Sequence, residues 1–126
     1  TTMRTRTAKI LDEPHLVSLA KSELQDVTSL DLHRGMYDDV STLSQCPNLH
    51  TLFLSRNNLT SFTVTCPKLW KIDLSHNHLT AVGTLENFAT LGFLDLSHND
   101  LSPEQVAKLQ GIHIVSLRTA FNPQLA

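Results

Sequence analysis

Aromatic side chains are scarce in this 126-residue chain, at 6% of positions with a single Trp and a single Tyr, so a core must be built from aliphatic residues. An excess of charge of one sign is missing too. Ten Lys and Arg stand against twelve Asp and Glu, for a net charge of −2, and no basic run occurs, which argues against a nucleic-acid footprint. No apolar stretch approaches the roughly 18 residues of a membrane span, and no signal-peptide hydrophobic region is visible. Cysteine is limited to Cys46 and Cys66, and two thiols alone do not make a zinc site. There is no Gly-rich phosphate loop and no nucleophile motif joining Ser, His and Asp. Together these absences leave no candidate catalytic, cofactor-binding or metal-ligating residue and point away from an enzyme. At this length the chain is one domain.

What is present is Leu at regular spacing. Leu91, Leu94, Leu96, Asn99 and Leu101 follow the pattern L-x-x-L-x-L-x-x-N-x-L. The same pattern recurs in Leu69, Ile72, Leu74, Asn77, Leu79, and in Leu49, Leu52, Leu54, Asn57, Leu59. Two degenerate copies flank these: Val27, Leu30 and Leu32 lead to Gly35 in the Asn position, and Ile114 and Leu117 lead through Thr119 to Asn122. The corner positions 35, 57, 77, 99 and 122 are spaced by 22, 20, 22 and 23 residues. Such a period predicts a leucine-rich repeat solenoid of the α/β class, with five short parallel strands on a concave face and short convex segments. Within each L-x-L the two Leu point inward and their neighbours outward. Each Asn is expected to satisfy backbone groups left unpaired at the corner, in a ladder from Asn57 through Asn77 and Asn99.

Residues 1–9 are polar and aperiodic, which predicts a flexible segment, and Thr1-Thr2 ahead of Met3 read as additions before a native start. The repeat domain covers 10–126, with repeats over about 27–125. Asp12 as N-cap, Pro14 in the first turn and Leu11 with Leu16 as a hydrophobic staple predict a capping helix over about 12–22. Its apolar face would be Leu16, Leu19, Ala20 and Leu24, covering the edge of the first repeat. A second helix of about two turns is expected from Pro103, with Ser102 as N-cap and Gln105 completing a capping box. The chain stops at Ala126 just after the fifth corner, where a solenoid needs a cap, which reads either as a boundary inside a larger protein or as a very abrupt native end.

These units resemble the short-period intracellular class of leucine-rich repeat proteins. That class includes the outer-arm dynein light chain, a phosphatase regulatory subunit, the spliceosomal A-prime protein, acidic nuclear phosphoproteins and small cilia- and flagella-associated proteins. Leu30-Asp31-Leu32-His33-Arg34-Gly35 is similar to the opening repeat of the class, and Asn122-Pro123 to the start of its C-terminal cap. Thr119, where a Leu is expected, departs from the pattern, as does the longer step into the last repeat. The resemblance covers about 12–126. It implies the N-terminal recognition domain of an intracellular scaffold, cytoplasmic or cytoskeletal, with the cilium or basal body as the narrower expectation and the nucleus an alternative.

Cys46 and Cys66 occupy matching positions and should stack about one strand spacing apart, as two buried, unlinked thiols. Asn58-Leu59-Thr60 matches a glycosylation sequon and reads as an accident of the repeat. His76 and His98 hold one position in successive repeats, continued by Arg34 and Arg56, and read as solvated corner residues.

The functional candidate is the concave face. Its outward rows are Ser29, Thr51, Lys71, Phe93, Ser116, then Asp31, Phe53, Asp73, Asp95, Arg118, then His33, Ser55, Ser75, Ser97, Ala120. Asp73, Asp95, Ser75 and Ser97 also fit the repeat consensus. Phe53 and Phe93 do not, and aromatics facing water mark an interface. The expected site is therefore Asp31, Phe53, Lys71, Asp73, Phe93, Asp95 and Arg118, binding a protein rather than nucleic acid, membrane or a small molecule. Trp70, just outside its strand, is either a lateral packing residue or an interface anchor. The alternative functions are a structural subunit using its lateral or convex surface and a phosphatase-type regulatory subunit.

Overall fold

The computed structural model describes residues 7–88 and 91–125. Five three-residue strands, β1 Ser29–Asp31, β2 Thr51–Phe53, β3 Lys71–Asp73, β4 Phe93–Asp95 and β5 Ser116–Arg118, form one parallel sheet in chain order. The register pairs Leu30, Leu52, Ile72, Leu94 and Leu117 across the sheet, as the repeat alignment requires. The first four are buried. Among the described residues no strand pairs with the outer edge of β5, and Leu117 stays 40% exposed, with Val115 at 70%. The last repeat is thus regular in pairing but open in packing.

Repeat length selects what crosses the convex side. The two 22-residue steps carry 3-10 turns at Ser41–Gln45 and Gly83–Asn87, while the 20-residue step, two residues shorter, has none. The 23-residue step holds helix α2, Pro103–Ala107. It is shorter than the two turns expected: after Ala107 the chain tightens into i→i+3 bonds from Leu109 to Val106 and from Ile112 to Leu109. Ser102 Oγ caps the Gln105 N–H, but the capping box is not completed. Gln105 instead accepts from the Val82 N–H of the preceding repeat, joining α2 to its neighbour.

Helix α1, Glu13–Ala20, starts at Asp12, whose side chain accepts from the His15 N–H, and stops at left-handed Lys21. Leu11 and Leu16 are both buried, as a staple requires. Leu19 is 42% exposed, so the helix lays down a narrower face than the sequence periodicity suggests. Eight residues leave little more than Leu16 and the half-buried Ala20 facing inward. Residues 1–6 of the predicted flexible segment lie outside the described residues. At its other end, the Lys9 N–H donates to Asp38 and its Nζ to the Gly35 carbonyl.

The Asn ladder holds the corners. Each Asn Nδ2 donates to the Leu carbonyl of its own repeat and of the repeat before, and Oδ1 accepts an N–H two residues past the previous corner. Asn122 does the same from the degenerate fifth repeat, with the Thr119 carbonyl in place of its own repeat's Leu. Among the described residues no strand before β1 offers a carbonyl to the first corner, and Gly35 stands there. A Cβ on Gly35 would meet the Tyr37 ring at 2.2 Å, so that ring fills the space.

Cys46 and Cys66 are free and buried, as expected. Cys66 Sγ donates to the Leu43 carbonyl at 3.0 Å. Burial, reinforced by Cys46, pushes the Cys66 thiol up to about 12. Both thiols should label slowly in the native protein and fast once it unfolds; rapid native labelling of either contradicts this packing. The unfolded Cys66 thiol releases its proton near 9.0 and the folded one far later, so stability should fall as pH rises above 9.0.

Candidate functional site

A sheet of three-residue strands offers two outward positions per strand, the first and the third. The first positions form the row Ser29, Thr51, Lys71, Phe93, Ser116, and the third Asp31, Phe53, Asp73, Asp95, Arg118. Between them lies a depression of about 310 Å³ lined by Phe53, Lys71, Asp73, Phe93, Asp95 and Arg118. Six of the seven expected concave-face residues thus surround one volume.

Asp31 stands apart from it, on β1. Its Oδ1 accepts from His33 Nδ1 at 2.6 Å and from the His33 N–H at 3.2 Å. The side-chain bond from His33 holds the Asp31 carboxyl below its ordinary 3.8, so the pair's contribution is complete above pH 3.8 and lost as pH falls through the lowered value. Solvent screening keeps that contribution small, because both side chains are more than half exposed.

The two aspartates in the depression have a second duty. Asp73 Oδ1 accepts from the Ser75 N–H at 2.9 Å and from Ser75 Oγ at 2.7 Å, and Asp95 repeats this with Ser97 at 3.0 and 2.6 Å. These bonds steady the exit from each strand, as a side chain bonding its own backbone two residues on does in a turn. Ser75 is buried rather than outward-facing, so the third predicted row is not a continuous surface.

The aromatics are partly covered by their own molecule. Lys71 Nζ sits 5.6 Å from the Phe53 ring centroid, a cation–π distance, and Phe53 is half-buried. Phe93 meets Trp70 edge-on at 5.7 Å and 77°. Trp70 packs over Gly92, where a Cβ would come within 2.4 Å of the indole, which explains Gly between Leu91 and Phe93. Phe93 and Trp70 remain 38% and 37% exposed. Trp70 is therefore both a lateral packing residue and an extension of the apolar surface onto the rim.

A row at the corners was only half read from the sequence. Arg34, Arg56, His76, His98 and Phe121 each precede a corner residue, and all five have φ between 56° and 60°. His76 and His98 stack at 3.9 Å, and Phe121 continues the stack at 4.4 Å. Phe121 was missed, although its place immediately before Asn122 carried the signal. Among the described residues no three His, Cys, Asp or Glu side chains gather in a way that could hold a metal ion.

Residues 47–101, which contain β2, β3 and β4, match the family model for the leucine rich repeat. No curated protein matches the chain.

Proposed function

We propose that this leucine-rich repeat solenoid binds a protein partner through its concave face, as the recognition domain of a larger scaffold protein. Leucine-rich repeat units in general mediate protein–protein contact and carry no chemistry of their own. The observation that carries the finer reading is the depression at β2–β5, which sets Phe53 and Phe93 beside Asp73, Asp95, Lys71 and Arg118. An apolar anchor on the partner would fill the space between the rings, and Lys or Arg around that anchor would face the two aspartates. The unlinked, buried thiols support an intracellular setting. The cilium or basal body is the narrower proposal, resting on the resemblance of the repeats.

Complementary charge mainly sets association rate, while a desolvated aromatic sets dissociation. Against a partner recovered by the wild-type domain, Phe53→Ala should weaken binding by about 2 kcal/mol, chiefly through faster dissociation. Asp73→Asn keeps an oxygen for Ser75 but loses the charge. It should mainly slow association at low salt, with the difference fading as salt rises. Surface plasmon resonance at two ionic strengths separates the two effects. Wild-type kinetics in both variants would sink the concave-face reading. Loss of binding on Trp70→Ala alone would move the interface to the lateral surface.

A further inference from the structure

We propose that the row Arg34, Arg56, His76, His98 and Phe121 is a second binding surface, separate from the concave depression, and that it takes a short acidic peptide segment. The backbone presents this row rigidly. The N–H groups of Arg34, Arg56, His76 and His98 donate to the carbonyls of Ser55, Ser75, Ser97 and Ala120 in the next repeat, so the sheet's spacing extends to the corner. The left-handed conformation at each position then turns the side chain out along the sheet's edge. Arg34, Arg56, His98 and Phe121 are exposed and His76 is half-buried.

The planar groups are laid face to face: the imidazoles lie 13° from parallel and His98 lies 17° from the Phe121 ring. Three strand spacings separate Arg34 from His98, about 14 Å. That is the reach of about four extended residues. One spacing further, Phe121 is 72% exposed and offers an apolar face to a residue beyond the acidic run. The two guanidinium groups are always charged and suit bidentate carboxylate recognition.

The groups acting on His76 are Arg56 from the repeat before, His98 from the repeat after, and Asp73 and Asp95 from the strands beside it. Burial, then His98 and Arg56, hold the His76 imidazole below its ordinary range, against the opposing pull of the two aspartates. On the far side His98 meets the uncharged Phe121 ring. A docked carboxylate reverses the balance by screening Arg56 and favouring the imidazolium, so binding takes up protons. Affinity therefore rises as pH falls below about 6.5. A long polyanion is disfavoured: the chain carries net charge −2, and Asp73 and Asp95 lie within electrostatic reach of the row. That argues for a peptide with a few carboxylates over a nucleic acid.

The test uses fluorescence anisotropy with a peptide of four glutamates followed by tyrosine, carrying a tetramethylrhodamine label that does not titrate in the range used, at low salt. Glutamate stays ionised at pH 5.5, so a change between pH 7.5 and 5.5 reports on the protein. The wild-type domain should bind about fivefold more tightly at pH 5.5. His76→Gln/His98→Gln should bind nearly equally at the two pH values, and Arg34→Gln/Arg56→Gln about tenfold more weakly at both. Phe53→Ala should bind as wild type does, which separates this surface from the concave one. Histidine Cε1–H resonances give a readout independent of the variants' folding: peptide should move His76 and His98 and leave His113 in place. No peptide binding by the wild-type domain at millimolar concentration, pH-independent binding, loss in Phe53→Ala, or tighter binding of a ten-residue oligothymidylate would overturn the proposal.

Discussion

Asn77→Ala should lower stability by about 3 kcal/mol, the product of several buried backbone groups losing one shared partner. Asn77 Nδ2 donates to the carbonyls of Leu54, Leu74 and Ser75 at 2.9, 3.0 and 3.2 Å, and its Oδ1 accepts from the Leu59 N–H at 3.1 Å. Alanine can supply neither role, and the site is 5% exposed, so water cannot easily replace the amide. Because the bonds join two repeats, the loss falls on the interface between neighbours, where a solenoid keeps its stability. Asn122→Ala should cost less, since Asn122 makes three such bonds, to Leu96, Thr119 and Leu101, where Asn77 makes four. Urea unfolding of the two variants checks both the size and the order. A wild-type midpoint for Asn77→Ala would mean that the corner bonds do not hold the repeats together.

Gly83→Ala should be comparably damaging, at about 3 kcal/mol, for a different reason. Its φ is +59°, and a Cβ there would lie 1.9 Å from the Phe62 carbonyl oxygen of the preceding repeat. A left-handed conformation alone costs roughly 1–2 kcal/mol outside Gly, and residues such as Arg56 and His76 adopt it at open corners. The close approach to backbone is the larger obstacle, because Phe62 cannot yield without disturbing its bond from the Thr84 N–H. Overpacking of this kind costs a further 1–3 kcal/mol, roughly. Gly111 is the internal control: nothing lies within 4 Å of its Cβ position. Gly111→Ala should stay within about 0.5 kcal/mol of wild type. Equal thermal unfolding of the two variants would contradict the close packing of Gly83.

The strand register was legible because alternation fixes it: once Leu30, Leu52, Ile72, Leu94 and Leu117 are aligned, every outward neighbour follows. The fifth repeat kept the register despite Thr119, since Asn122 still anchors the corner. Side-chain directions at the ends of the array were not legible in the same way. Leu19 fits a helical stripe but is exposed, because what covers a stripe depends on a neighbour that periodicity does not name. Gln105 sits where a capping box expects it yet bonds to Val82, a contact between repeats that local pattern cannot reveal. The cover of Phe53 by Lys71 and the seat of Trp70 on Gly92 likewise join successive strands. Residue types predicted that the concave face carries aromatics, and packing decided how much of each stays open.

The measurement closest to the central claim compares proteins captured by the wild-type domain with those captured by a Phe53→Ala/Phe93→Ala double variant, quantified by mass spectrometry. Both side chains lie outside the Leu core, and circular dichroism should show the same folded content in the two proteins. The concave-face account predicts a specific set of partners retained by the wild type and absent from the double variant. Partners held equally by both proteins and lost only on Trp70→Ala would contradict it.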